Sequence, residues 1–338
     1  MIYYEKCNNE VRGVAVTSGP LPPYAFFRFG EISAMKLFFV FSGQGAQSVG
    51  MGKDLYEKFD TAKKYFDTAD QVLGYSLSDV VFNGPVEKLT ETRFCQSAIY
   101  TMSCACLNVF KELHPEAQPV AAAGLSLGEY AALCCGNAFT FEEGLKLLQK
   151  RADLMDECCR ATDGGMATAL GCDAAVIEEV CAAAGIDVAN YNSPGQIVIS
   201  GEKEKVKAAV AELKGKGYRK VIELQVAGAF HSKLMAPAGT GLAEVLARTE
   251  LRLPEIPVYQ NFTAAAPGSV EELKKNLAAQ VSGSVRWESC VRAAAAAGAE
   301  MMVEFGPGNV LTGLLKRTIP EMKSANINSV ESLEQFQF

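Results

Sequence analysis

Apolar positions along this chain fall into two kinds of run. Short continuous ones, such as KLFFVF after Met35, the stretch Val120 to Ala123 and EMMVEF ending at Phe305, read as buried strands. Longer ones repeat every three to four residues and read as helices: residues 54–73, residues 92–113 and a segment opening at Thr140. The run at 92–113 is apolar nearly all round, which predicts a helix buried on every side. Residues 79–89, centred on Asn83-Gly84-Pro85, read as a loop and turn. Thr140 followed by Glu143 predicts a capping box, and Leu147, Leu148, Ala152 and Met155 then recur on one face. Arg151 lies four residues from both Leu147 and Met155, so a guanidinium sits on or beside that apolar stripe. A snorkelling side chain or an internal salt bridge would account for it.

The texture changes near Gly164. GMATAL reads as a strand, residues 173–184 as a helix, IDVANY and QIVISG as two strands, 202–216 as a second helix, and RKVIELQV as a closing strand. That order is βαββαβ, the ferredoxin-like unit, expected as an insertion over residues 161–229. Its second helix and following turn carry Lys203, Lys205, Lys207, Lys214, Lys216, Arg219 and Lys220, a local basic cluster that a solvated helix face would also explain. Afterwards alternating elements return: a strand ending at Asn261, helices at 270–280 and 285–297, the strand before Gly306-Pro307-Gly308, and a last helix at 310–317. The tail from Asn326 looks peripheral. Residues 1–34 show neither periodicity and read as a loose extension preceding a functional start at Met35.

One strand-to-helix junction carries chemistry. Gly124-Leu125-Ser126-Leu127-Gly128 follows an apolar strand and precedes a helix that stops at Gly136-Asn137. A G-x-S-x-G turn in that setting is a nucleophile elbow, in which crowding around two glycines lifts the serine above the sheet. A serine nucleophile needs a base. The chain has two histidines: His114 follows a helix end and precedes Pro115, whereas His231 lies in the small-residue loop Gly228-Ala229-Phe230-His231-Ser232 and is the favoured base. The loop Ser42-Gly43-Gln44-Gly45, directly after a strand, suits backbone N–H groups facing a ligand but lacks the G-K-[ST] of a phosphate loop.

Composition narrows the class. With 338 residues and 49% hydrophobic content, the chain can bury a large core, as two domains or one with an insertion. A net charge of −7 argues against nucleic acid as a partner. No apolar run reaches the roughly 18 residues that span a bilayer. MIYYEKCNNE lacks the features of a signal peptide, so a cytoplasmic protein is expected. The 11 cysteines form no C-x-x-C pair and read as reduced thiols.

Six segments in order, FSGQGAQ (41–47), GLSLGEYAAL (124–133), QKRADLM (149–155), NYNSPGQIVISG (190–201), GAFHSKLM (228–235) and VEFGPGNVLTGLLKR (303–317), make the chain resemble the malonyl-CoA:acyl carrier protein transacylases of fatty acid synthesis over residues 35–327. The resemblance implies an α/β-hydrolase-like core of parallel sheet (35–160 and 230–325), the ferredoxin-like subdomain, and an active site between them. It implies that Ser126 is the acyl-accepting nucleophile, His231 its base, and Arg151 the clamp for the free malonyl carboxylate. Gln44 and Leu127 match the positions whose backbone N–H groups form the oxyanion hole. The histidine is oriented in that family by a late main-chain carbonyl, matched here to the stretch Ser284 to Trp287 and assigned to Arg286. Phe230 matches a position that disfavours an α-methyl branch. Asn190 and Asn192 match asparagines near the cleft. Leu125 stands where the family usually has histidine.

The resemblance further implies malonyl-CoA and acyl carrier protein as partners, no metal or redox cofactor, and a monomer. It makes the basic cluster a candidate dock for an acidic carrier. A polyketide loading acyltransferase shares this chemistry. A serine esterase or thioesterase shares the elbow and base, and a silent carrier-binding module would share neither adduct nor turnover.

Overall fold

The computed structural model describes residues 2–7, 10–15 and 35–337. The chain divides into two compact units, Met1–Ala34 and Met35–Phe338. In the first, Ile2–Cys7 and Glu10–Ala15 pair as an antiparallel hairpin with Ile2 opposite Ala15, strands that the sequence pattern did not foretell. The remainder of the expected loose extension lies outside the described residues.

The second unit is built on a five-stranded parallel sheet in the spatial order Lys323–Ile327, Met301–Phe305, Leu37–Phe41, Pro119–Gly124, Val258–Tyr259. Helices cover both faces, so Leu37–Phe41 and Met301–Phe305 are buried at every position, as continuous apolar runs require. On one face Phe39 packs edge-on against Phe305 and Phe110, at centroid distances of 4.8 and 5.8 Å. Phe110 belongs to the helix Thr92–Leu113, buried on all sides as its composition demands. On the other face Phe38, Val40 and Met302 meet Trp287, Val291 and Leu315.

The chain starts at the middle strand, winds outward through Pro119–Gly124 and Val258–Tyr259, then crosses back to Met301–Phe305 and Lys323–Ile327. Strand order therefore reverses beside Leu37–Phe41, and the crevice that such a reversal opens lies at the carboxyl ends of the strands. The loop holding Gln44, the elbow holding Ser126, and Gln260-Asn261 all sit at that end.

The inserted unit has the expected order: Gly164–Leu170, Ala174–Ala184, Asp187–Ser193, Gln196–Glu202, Lys203–Gly215 and Val221–Leu224. Its sheet is antiparallel throughout and encloses its own core of Ala167, Ile177, Ile199, Val206 and Leu213. It joins the main unit through backbone: Tyr191 N–H donates to the Val285 carbonyl at 2.9 Å, and Val285 N–H to Ala189 at 2.8 Å. In the basic cluster, Lys205, Lys207 and Lys216 are held by Glu202, Glu204 and Glu212, one turn away along the chain.

Three expectations are corrected. Residues 54–73 form two helices, Lys53–Lys58 and Asp60–Leu73, because Phe59 between them is extended. Residues 79–89 are mostly helical: Leu77–Asn83 and Val86–Thr90 flank Gly84-Pro85 and bury Val80, Val81 and Leu89. The tail is not peripheral, since Lys323–Ile327 is the fifth strand and Val330–Glu334 a helix. Phe336 reaches Phe110 and His114 at centroid distances of 4.8 and 5.1 Å. An edge strand that is half-buried carries little apolar signal, which is why the pattern missed it. Phe336→Ala should lower stability by about 3 kcal/mol, seen as a reduced midpoint in urea unfolding at unchanged slope; an unmoved midpoint would return the tail to the periphery.

Candidate active site

The strand Pro119–Gly124 turns at Leu125-Ser126-Leu127 into the helix Gly128–Cys135. A Cβ on Gly124 would stand 1.9 Å from the Gly128 carbonyl carbon, and one on Gly128 2.3 Å from the Phe41 carbonyl oxygen. The turn closes only because both positions lack a side chain. Ser126 at its apex has φ 54°, a left-handed conformation that costs a non-glycine residue about 1–3 kcal/mol. Asn261 holds the strained turn in place: its Oδ1 accepts from Ser126 N–H at 2.7 Å, and its Nδ2 donates to the Gly124 carbonyl at 2.8 Å.

His231 also has positive φ, 56°, and is 5% exposed. Its Nε2 lies 2.8 Å from Ser126 Oγ and its Nδ1 2.8 Å from the Gln280 carbonyl oxygen. A carbonyl only accepts, so Nδ1 carries the proton and Nε2 is left as the base toward the serine. Burial, and then the positive charge of Arg151, push the imidazole pKa down to about 4, against the pull of the Gln280 carbonyl. The ring is therefore neutral and able to take a proton at any ordinary pH.

The orienting carbonyl is that of Gln280 and not that of Arg286. Gln280 sits in the last turn of the helix Val270–Ser282, where carbonyls lack intrahelical partners. The Arg286 carbonyl is already taken by Cys290 N–H, opening the next helix. Arg286 itself is exposed, donates to the Phe262 carbonyl and lies 6.0 Å from the Tyr191 ring.

Arg151 projects from the helix Phe141–Ala161 and is 1% exposed. It neither snorkels nor forms an internal salt bridge: no carboxylate pairs with it among the described residues. Nη1 donates to Gln96 Oε1 at 2.8 Å, and Nη2 to Ser126 Oγ at 2.9 Å and to Gln280 Oε1 at 3.0 Å. Its Nε–H has no partner among the described residues. Burial lowers the Arg151 pKa, opposed by Tyr130 and Glu129 nearby. A buried cation hydrogen-bonded only to neutral oxygens, with its Nε–H unsatisfied, is an arrangement that an anion would complete.

The other matched positions divide. The N–H groups of Gln44 and Leu127 take no hydrogen-bond partner among the described residues and stay available to a ligand. Gly43 brings the Gln44 loop onto the elbow, since a Cβ there would meet the Leu125 carbonyl oxygen at 2.7 Å. Phe230 is buried in the main core beside the base. Asn190 and Asn192 are both 9% exposed on the subdomain strand that joins Val285, and the Asn192 Oδ1 has no partner. Leu125, in place of histidine, packs against the apolar layer around Phe38 and Trp287.

Sequence reasoning missed Gln96, Asn261, Gln280 and Glu129. Each is an ordinary polar residue in an apolar helix or at a strand end. Their one legible signal was a polar side chain on a face expected to be buried. Among the described residues no cluster of three or more His, Cys, Asp or Glu could hold a metal ion, and no helix is long and apolar enough to cross a membrane. The ten cysteines from Cys95 to Cys290 are free thiols.

Comparison with known proteins places the chain in a family. The acyl transferase domain family matches residues 38–336. A malonyl CoA-acyl carrier protein transacylase of Bacillus subtilis is 38% identical over 304 residues, covering 88% of this chain and 95% of that protein. The crystal structure of an acyl carrier protein S-malonyltransferase from Vibrio cholerae superposes with a TM-score of 0.86 at 39% identity, covering 88% of this chain and 99% of the other. A malonyl-transacylase solved in complex with a type II polyketide acyl carrier protein is 36% identical, with a TM-score of 0.86, and covers 88% of this chain and 98% of its own. The parallel core and the inserted antiparallel unit are thus those of the malonyl CoA-acyl carrier protein transacylases, and the chain belongs to that family.

Proposed function

We propose that this protein transfers the malonyl group from malonyl-CoA to the phosphopantetheine thiol of acyl carrier protein through a malonyl ester on Ser126. The observation that carries the reading is the buried Arg151 guanidinium, which has no carboxylate partner among the described residues and stands beside the nucleophile. Its Nη2 donates to Ser126 Oγ at 2.9 Å, and its Nε–H has no partner among the described residues. A planar guanidinium matches a carboxylate, so an acyl group ending in a carboxylate would be held with its other end at Ser126.

In the first half-reaction Ser126 Oγ attacks the thioester carbonyl while its proton passes to His231 Nε2. The oxyanion is met by the N–H groups of Gln44 and Leu127, where loss of one donor costs about 2.7–4 kcal/mol. The tetrahedral species collapses, the C–S bond breaks, and coenzyme A leaves with the proton held by His231. In the second half the carrier thiol gives its proton to His231 and attacks the ester, and Ser126 recovers its hydrogen as the C–O bond breaks. The acyl carbon keeps its oxidation state throughout, so the chemistry asks for no metal or redox cofactor. The reading includes a cytoplasmic monomer serving fatty acid synthesis. Phe230 beside the base supports an unbranched acyl group over a methylmalonyl one.

A second reading, loading of a polyketide carrier, is supported by the carrier-bound relative and differs only in the thiol served. Incubation with malonyl-CoA should leave one malonyl group on Ser126 by mass spectrometry, released when acyl carrier protein is added. Hydrolysis of malonyl-CoA at a rate indifferent to carrier would overturn the transferase reading in favour of a thioesterase.

Arg151→Ala should lower kcat/KM for malonyl-CoA by about 10- to 100-fold, the worth of a charged hydrogen bond, while sparing acetyl-CoA; equal losses would remove the clamp. Because the imidazole pKa stands at about 4, kcat/KM should stay flat as pH falls from 8 to about 5, with no descending limb near the ordinary histidine value of ~6.5. Removing the cation stabilises the imidazolium, so Arg151→Ala assayed with acetyl-CoA should carry its acid limb at higher pH than the wild type.

A further inference from the structure

Behind the arginine lies a second buried charge to which the mechanism gives no role. Glu129, in the first turn of the elbow helix, is 0% exposed and makes no ion pair among the described residues. Its Oε2 accepts from Asn261 N–H at 2.7 Å and from Gln280 Nε2 at 2.9 Å, and its Oε1 from Gln260 Nε2 at 3.1 Å. All three partners are N–H donors, a set that suits an ionised carboxylate and leaves a protonated one without an acceptor. Burial pushes its pKa up, and those donors together with the Arg151 charge hold it down.

The amide of Gln280 stands between the two charges. Its Nε2 donates to Glu129 and to the Ser126 carbonyl at 3.0 Å, and its Oε1 accepts from Arg151 Nη2 at 3.0 Å. Turned over, the amide would set oxygen against both the carboxylate and the Ser126 carbonyl, and nitrogen against the guanidinium. An acceptor-only group behind Gln280 therefore dictates which end of that amide faces the arginine. We propose that Glu129 is the positioning residue for malonate recognition: acting through Gln280, it anchors Nη2 of Arg151 and keeps that nitrogen turned to Ser126. This rests on the carboxylate clamp proposed above and adds the element that holds the clamp in register.

A glutamine at this position retains the shape and loses both the charge and the all-acceptor character. Its one oxygen cannot serve three donors, and its own NH2 would oppose an amide. Gln260 is not free to turn in compensation, because its Oε1 accepts from Asn276 Nδ2 at 2.9 Å and its Nε2 reaches the Leu273 carbonyl at 3.3 Å. Whichever way the new amide turns, the charge that fixed the Gln280 amide against Arg151 is gone.

The test is the preference for malonyl over acetyl transfer to acyl carrier protein, measured as a ratio of kcat/KM values. Glu129→Gln should lower that ratio about tenfold or more through a raised KM for malonyl-CoA, with acetyl transfer held within a few-fold; Glu129→Asp, which restores the charge, should recover part of it. A role in folding alone would lower both acyl groups together, and that result, or an unchanged ratio, overturns the inference. Gln280→Met cuts the relay and leaves the main-chain carbonyl that orients His231. It should reproduce the loss of preference, and reads out the proposal if Glu129→Gln does not fold. Arg151→Ala measured alongside separates the two levels: if it too keeps the preference, the clamp itself fails, whereas loss with Arg151→Ala alone leaves the clamp standing and removes Glu129.

Discussion

A guanidinium taken fully out of water, with no carboxylate to meet it, is the constraint around which this site is arranged. Desolvating a cation costs several kcal/mol unless hydrogen bonds and opposite charge compensate. Arg151 donates hydrogen bonds to two glutamines and the serine, and has an opposite charge only at one remove, in Glu129 beyond Gln280. The compensation is incomplete, since Nε–H has no partner among the described residues. On the proposed reading a substrate carboxylate completes it, and a neutral acyl chain leaves the deficit as it was.

The same crowding explains why the backbone is strained where it is. Ser126 and His231 both hold positive φ, at 54° and 56°, and both are over-determined by their neighbours. Asn261 grips the turn around Ser126 from both sides, and the imidazole is pinned between Ser126 Oγ and the Gln280 carbonyl. Gln280 is the common member: its carbonyl orients the base, its amide oxygen holds the clamp, and its amide nitrogen binds the serine carbonyl. One helix end thereby fixes base, cation and nucleophile relative to one another.

Ser126 and His231 were legible because each broke a local rule in the sequence, a serine between crowded glycines and a histidine in a small-residue loop; the cation of Arg151 on an apolar stripe was visible, but a place in the site for it came only from the family resemblance. The βαββαβ insertion was legible because both of its periods are strong and its core is its own. What stayed hidden has a different cause. Gln280 acts through its main chain and Asn261 through a backbone clasp, and a main-chain carbonyl is the same for every residue type. The search therefore fell on Arg286, whose carbonyl is committed to Cys290. The C-terminal strand and helix escaped notice because their apolar contribution is one residue at a time, Ile327, Leu333 and Phe336, each buried by neighbours distant in the chain.

The choice of a carbonyl as orienting group, where many serine enzymes have a carboxylate, follows from the clamp. A carboxylate behind His231 would be a charge within reach of Arg151, competing with the substrate for the same cation. A neutral carbonyl fixes the tautomer without that competition, at the cost of leaving the imidazolium poorly stabilised, so that burial and Arg151 hold the base at about 4. On the proposed reading, the carboxylate of a bound acyl group offsets the second of these influences. Its arrival at the clamp raises the basicity of His231 at the moment a proton has to be taken from Ser126, whereas an acyl group without a carboxylate meets a base still depressed by the cation. Recognition and proton transfer are in this way coupled through a single charge, with no movement of the backbone required.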